Sequence, residues 1–233
     1  MRGYFVTGTD TGVGKTTVGR ALLAAATARG LRTRCLKPAE TGCTRAHDGD
    51  LLAHDAEALW EATDRGQPRA SACIYRFEES VAPGVAAARE KVELDFDRIR
   101  ARFDEFTGQC DFVLVEGAGG LLVPMGRGRT IADLVVCIGL PLLIVARPTL
   151  GTINHTLLTI EAAQHRALDV VGVIFSASEG EPDPDAVASN AEEIRAASGV
   201  PVLGYLGHFA PEPPLTILGQ SIESSLELAR LLA

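Results

Sequence analysis

A short apolar strand that runs straight into a glycine-rich loop and then a helix constrains this chain more than any other feature. The strand is Tyr4–Thr7, and the loop with its first helical turn is Gly8-Thr9-Asp10-Thr11-Gly12-Val13-Gly14-Lys15-Thr16-Thr17. Gly8, Gly12 and Gly14 let the backbone turn so that several N–H groups point inward at an anion. The helix opening near Lys15 adds the positive end of its dipole. In such a phosphate loop, Gly12, Val13, Gly14, Lys15, Thr16 and Thr17 are the expected contacts of ATP. Lys15 reaches the β- and γ-phosphates, and the Thr16 hydroxyl can ligate a bridging Mg2+. The strict pattern needs glycine where Thr9 stands, so the loop is a variant.

The rest of the chain repeats the theme of strand then helix. Strand-like apolar runs fall at Tyr4–Thr7, Thr33–Leu36, Phe112–Val115, Leu142–Ala146, Val170–Ile174 and Val202–Tyr205. Helical patterns fall at Lys15–Arg29, Leu51–Ala62, Leu94–Phe106, Ile131–Ile138, Ile153–Arg166, Asp185–Ser198 and Ser221–Leu232. Consecutive Val, Ile and Leu suit strands buried on both faces. This alternation predicts an α/β fold: one phosphate-loop NTPase domain over residues 1–233, with a mostly parallel central sheet and helices on both faces. Ligands in such sheets bind beyond the carboxyl ends of the strands.

Composition narrows the function classes. Lysine and arginine total 22 against 30 aspartates and glutamates, a net charge of −8. A pI near 5.2 argues against a chain built to grip nucleic-acid backbones. No run approaches the ~20 apolar residues of a membrane span, and the opening MRGYFVTGTD has no signal-peptide apolar region. Five cysteines, widely spaced and without a CxxC pair, argue against a disulfide framework or a zinc site. The expectation is a cytoplasmic protein with no nucleic-acid or membrane partner.

Residues just after the other strands are candidates for chemistry. Lys37, ending the second strand before Pro38-Ala39-Glu40-Thr41-Gly42, can hold an anion or stabilise charge developing in transfer; it is equally a plain strand-ending lysine. Glu116, ending the third strand before Gly117-Ala118-Gly119-Gly120, is placed to ligate Mg2+, and the glycines let backbone approach a substrate closely. A third acid for a metal shell comes from Asp48, Asp50 or Asp55, although acids in a first helical turn are common for dipole reasons alone.

Four segments, GTDTGVGKTT, KPAETG, VEGAGGLLVPM and LGTINHT, occur together and in order, and with them the chain resembles the dethiobiotin synthetases of biotin synthesis. The resemblance implies ATP-dependent carboxylation and ring closure of 7,8-diaminopelargonate with CO2, giving dethiobiotin, ADP and phosphate through a carbamate and a carbamic-phosphoric anhydride. It implies Mg2+ held by Thr16, Asp55 and Glu116, catalysis by Lys37, Lys15 and Thr11, and ATP contacts that include Glu116, Ser176 and Gly204. It assigns the organic substrate to Thr41, Gly117, Ala118, Gly119, Gly151, Thr152 and Asn154. Thr152 would be the N-cap of a helix whose free amides take the substrate carboxylate. In the family that segment comes from the neighbouring subunit, which implies a homodimer with the active site at its interface.

The chain departs from the family at the purine end. Ile174-Phe175-Ser176-Ala177 stands where an asparagine often reads the base, and Gly204-Tyr205-Leu206-Gly207-His208 stands where a proline-containing base loop is common. Glu40 is a further departure, expected either to pair with a substrate ammonium or to point to water. Three other readings fit the residues less well. A partitioning-type ATPase switch carries a second loop lysine where this chain has Asp10; a corrin diamide synthase needs a glutamine-hydrolysing domain; and a small-molecule kinase needs neither VEGAGG nor GTINHT.

Overall fold

The computed structural model describes residues 1–177, 180–209 and 213–232. Its elements run β1 (Arg2–Gly8), α1 (Lys15–Ala28), β2 (Thr33–Thr41), a small hairpin of β3 (Thr44–Arg45) and β4 (Leu51–Leu52), α2 (His54–Glu61), β5 (Cys73–Phe77) and α3 (Pro83–Arg89). They continue α4 (Phe96–Thr107), β6 (Phe112–Gly120), a second hairpin of β7 (Pro124–Gly126) and β8 (Arg129–Thr130), α5 (Ile131–Ile138) and β9 (Leu142–Ala146). The chain closes with α6 (Thr152–Gln164), β10 (Val170–Ser176), α7 (Pro184–Ser198), β11 (Val202–Leu206), α8 (Leu215–Glu223) and α9 (Leu226–Arg230).

Seven strands form one parallel sheet in the order β11-β10-β9-β1-β6-β2-β5. From β1 the chain crosses to β2 and on to the edge strand β5, returns to insert β6 between β1 and β2, then continues on the other side of β1 through β9, β10 and β11. The strand order therefore reverses at β1, and the crevice beyond its carboxyl end is where the phosphate loop lies.

Strand alternation divides the apolar residues between two cores. Phe5, Val113, Val115, Leu142, Ile144, Val173 and Phe175 join one, with Ile99, Phe103, Leu134 and Ile160 from α4, α5 and α6. Tyr4, Val6, Phe112, Leu114, Leu143, Val145 and Ile174 join the other, with Val18, Leu22, Leu59, Leu218 and Ile222 from α1, α2 and α8. Each fully buried side chain of this kind contributes about 1.5–3 kcal/mol. The sheet is thus covered on both faces, as the apolar runs predict.

Several boundaries differ from the sequence expectation. β5 and α3 were not foreseen. β5 is an edge strand whose sequence, CIYRF, alternates buried and half-buried positions and carries Arg76, so it lacks the continuous apolar run of a central strand. The pattern Leu51–Ala62 contains β4 before α2 begins at His54. The pattern Ser221–Leu232 is two helices, because the Ser225 hydroxyl accepts from the Leu228 amide and starts a new helix. Among the described residues, no helix is long and apolar enough to cross a membrane.

Candidate functional site

The carboxyl ends of β1, β2, β6 and β10 open into one cavity of about 770 Å3. Gly12, Gly14, Lys15, Thr16 and Thr17 line one wall, Lys37, Thr41 and Asp55 another, and Ala118 and Gly119 a third. Thr11 and Ser176 also line it. Most of the residues singled out in the sequence therefore converge, although they come from segments more than a hundred positions apart.

The loop is built for close approach. Gly14 holds φ +92°, and a Cβ there would lie 2.3 Å from the Ser176 Oγ, so only glycine fits between the loop and the end of β10. Lys15 is 7% exposed and donates to the Asp10 carbonyl at 3.0 Å, which folds its ammonium back over the loop. Arg147, after β9, donates to the Thr11 carbonyl at 3.1 Å and fixes the loop from the other side.

Beneath the loop sits a charged cluster. The Lys37 ammonium lies 2.8 Å from Asp55 Oδ2 and 2.5 Å from Glu116 Oε1, and the Thr16 hydroxyl donates to the same Glu116 oxygen at 3.0 Å. Lys37 and Glu116 are 3% and 0% exposed at their side chains, whereas Asp55 is 45% exposed and faces the cavity. Burial works against the Lys37 charge, but Glu116 and then Asp55 outweigh it and hold its pKa above the ordinary lysine value. Burial depresses the pKa of Lys15, with Glu116 opposing.

Glu40 has a role that neither expectation foresaw. Its carboxylate accepts from the Asp55 amide at 2.8 Å and from the Ala56 amide at 2.9 Å. It lines the cavity wall and caps the start of α2, and so fixes the backbone that carries Asp55. The unexpected negative charge is a positioning device. Asp48 and Asp50 lie in the exposed turn of the β3–β4 hairpin and do not line the cavity.

The far end of the cavity is shaped differently. Ser176 and Ala177, Gly207, His208, Phe209 and Pro213 line it, with Arg20 from α1. His208 Nδ1 contacts the Ala177 carbonyl at 3.1 Å, and Glu181 accepts from the His208 amide and the Tyr205 hydroxyl. Arg20 was not foreseen. Its Nε is buried without a hydrogen-bond partner among the described residues. One helical turn beyond Thr16 and Thr17, its place on a phosphate-loop helix was the available signal.

Other expected residues lie elsewhere. Val13 is buried under the loop and does not line the cavity. Gly117 packs against Phe5 and Ile131, and Gly204 packs against Leu228. Gly151, Thr152 and Asn154 lie off this cavity. Thr152 is not the N-cap: Gly151 holds that position at φ +92°, and Thr152 is the first helical residue, its amide already bonded to the Thr149 carbonyl at 3.0 Å. Asn154 is exposed, and Leu150 beside this helix start is fully exposed. The cysteines are free thiols, four of them buried. Burial pushes Cys43 up to about 11, with the Glu40 charge adding, and pushes Cys73 up to about 12.

The donor set fits a hard divalent cation. Glu116 Oε2 is buried and lacks a hydrogen-bond partner among the described residues, beside the Thr16 hydroxyl and the Asp55 carboxylate. Oxygen donors without histidine or thiolate are what Mg2+ prefers, completed by phosphate oxygens and water. Among the described residues no group of three or more His, Cys, Asp or Glu side chains could hold a metal, so the protein alone offers an incomplete shell.

Comparison with known proteins gives a consistent result. The AAA domain family model matches residues 2–211. The chain is 46% identical over 194 residues to the ATP-dependent dethiobiotin synthetase BioD of Anaeromyxobacter dehalogenans strain 2CP-1, spanning 83% of this chain and 84% of that one. It is 39% identical over 211 residues to the protein of the same name from Thermodesulfovibrio yellowstonii, spanning 88% of each. Among solved structures, the MinC:MinD complex of Aquifex aeolicus aligns with TM-score 0.58 at 15% identity, covering 100% of this chain and 94% of that one. A ParA family ATPase from Chlorobium tepidum aligns with TM-score 0.55 at 12% identity, covering 99% and 95%. These distant structures share the fold.

Proposed function

Because the chain belongs to the ATP-dependent dethiobiotin synthetase family, we propose that it closes the ureido ring of dethiobiotin from 7,8-diaminopelargonate, CO2 and ATP. The observation that carries this reading is the convergence of Lys15, Lys37, Thr16 and Asp55 on one cavity large enough for both a nucleotide tail and a small diamine, with the buried Glu116 bonded to Lys37 and Thr16 behind its wall.

The reaction has three bond-forming steps. One amine adds to CO2 and loses a proton, giving a carbamate. A carbamate oxygen then takes the γ-phosphoryl group and ADP leaves. The second amine attacks the carbamate carbon, loses a proton and expels phosphate. The middle step brings two anions together, which costs heavily unless cations surround them. Lys15 sits where the loop holds β- and γ-phosphates, and the charged Lys37 stands at the same cavity, so both ammonium groups counter that repulsion without reorganising. Loop amides at Gly12 and Gly14 add fixed donors, and Thr11, Thr41, Ala118 and Gly119 form the wall against the diamine and carbamate. Thr16, Asp55 and Glu116 would hold Mg2+, which would neutralise phosphate charge when bound. Glu40 holds the Asp55 backbone in place for that set.

At the other end, Ser176, Ala177 and the segment 207–209 form the seat of the base, and Arg20 reaches the nucleotide between base and phosphates. We further propose a homodimer. Gly151, Thr152 and Asn154 do not line their own chain's cavity, while Leu122, Leu150 and Leu158 are 52%, 104% and 57% exposed. A partner's α6 start docked there would bring its amides to the carboxylate tail of the diamine.

The test is phosphate release by purified protein with Mg2+, ATP and bicarbonate. Release that depends on the diamine, with dethiobiotin formed in equal amount, supports the reading. Release that ignores the diamine but responds to DNA or lipid would replace it with an ATPase switch.

A further inference from the structure

Outside the nucleotide cavity but next to it across the β2–β5 edge, one cluster of positive charge has too few counterparts. Arg76 from β5 and Arg98 and Arg102 from α4 line a second cavity of about 300 Å3, with Ser71 and Cys73 on its floor. The two cavities share no lining residue, and no carboxylate lines this one among the described residues. Arg98 and Arg102 stand one helical turn apart, where like charges repel. Arg98 lies over the Tyr75 ring at 5.2 Å and makes no ion pair among the described residues. Arg102 pairs with Glu105 at 2.8 Å. Arg76 makes one long hydrogen bond, 3.4 Å to the Ala70 carbonyl, and its buried Nε has no hydrogen-bond partner among the described residues. Elsewhere in this acidic chain, arginines such as Arg29, Arg32 and Arg34 hold carboxylates at 2.6–2.8 Å.

We infer that this arginine-lined cavity at the β5 edge binds a phosphate dianion, either the free ion or the headgroup of a phosphomonoester. Guanidinium forks offer paired N–H donors that match phosphate oxygens, and charge-assisted bonds of this kind are the strong ones. Three forks from two elements suit a tetrahedral oxyanion with several acceptor oxygens better than a planar carboxylate with two. At about 300 Å3 the cavity is at the small end of ligand sites, and arginines rather than apolar side chains make up much of its wall, which suits a phosphate with a small organic group. The site lies beside the nucleotide cavity in the sheet, since Arg76 is paired in register with Glu40, the cap of α2.

The experiment is calorimetric titration of the full chain with sodium phosphate at constant ionic strength, without nucleotide or diamine. Using the Lys15→Ala protein removes the main phosphate contact of the loop, so the result does not depend on the ring-closing reaction. Saturable binding that weakens about tenfold or more in Lys15→Ala/Arg98→Gln/Arg102→Gln, with unchanged circular dichroism, sustains the site. Arg76→Gln provides the second variant should that protein fail to fold. Tighter binding of glycerol phosphate than of phosphate, or the reverse, assigns the natural form. No saturable binding beyond that of sodium chloride, or the same affinity after the arginine substitutions, overturns it.

Discussion

The two ends of the nucleotide cavity are made by different means. At the phosphate end, side chains hold one another: Lys37 is clamped by Asp55 and Glu116, Glu116 takes the Thr16 hydroxyl, and Glu40 anchors the backbone of Asp55. At the proposed base end, the contacts run to backbone: His208 Nδ1 meets the Ala177 carbonyl, and the His208 amide donates to Glu181. The difference matches what each end receives in the proposed function. A triphosphate carries charge that only fixed opposite charge and aimed amides can hold, so its site tolerates little change. A base is a flat, mostly neutral ring that several backbone surfaces can accommodate, so its side chains are free to differ.

The contrast is most exposed to test at Lys37. Lys37→Ala should abolish diamine-dependent phosphate release and also lower stability by about 3–5 kcal/mol, because Glu116 is then buried without its partner. Urea denaturation beside the turnover assay separates the two effects, and a stable, active variant would mean the cluster is neither mechanism nor support. A smaller effect is expected at Glu40. Glu40→Gln keeps shape but removes the charge that receives two amides, costing ~1–2 kcal/mol of stability and lowering kcat through a displaced Asp55. A double-mutant cycle with Asp55→Asn should then be non-additive in kcat; additivity would detach Glu40 from the site. The smallest effect belongs to the base end. Arg20→Ala should raise KM for ATP several-fold, on the order of one charged hydrogen bond shared with solvent, and leave kcat nearly intact. His208→Ala should do less still. A loss at either position as large as that at Lys37 would erase the distinction between the two ends.

Much of the phosphate end was legible in the sequence because its chemistry is local. Gly8 to Thr17 must be contiguous to turn a strand into an amide nest, and Lys37 and Glu116 lie midway along β2 and β6, which run on to Thr41 and Gly120 rather than ending at Leu36 and Val115 as the apolar runs predict. The choice of Asp55 over Asp48 and Asp50 was not legible from composition, since all three acids have equal chemistry and only the hairpin between β3 and β4 holds two of them away. Glu40 misled for the same reason. A carboxylate in a site loop reads as a ligand, but its partners are amides fifteen and sixteen positions later. At Thr152 the misreading was one residue of register: Gly151, in the left-handed region, takes the cap position that a threonine was expected to fill.

The edge strand β5 shows the limit of pattern reading on the fold. A central strand announces itself because both faces are buried, whereas CIYRF is recognisable only once β2 is beside it. The arginine pair of α4 likewise looks like a solvated face until β5 sets Arg76 against it.

By itself the sequence determined the parallel α/β class, the phosphate loop and the kind of ligand it serves, because those depend on local periodicity, glycine geometry and the charge at strand ends. Only the tertiary structure decided which acid joins the lysine, what Glu40 holds, and which walls face the base. Those outcomes depend on distances between segments remote in the chain, and such distances are set by how helices and hairpins pack on the sheet rather than by any residue's own preference.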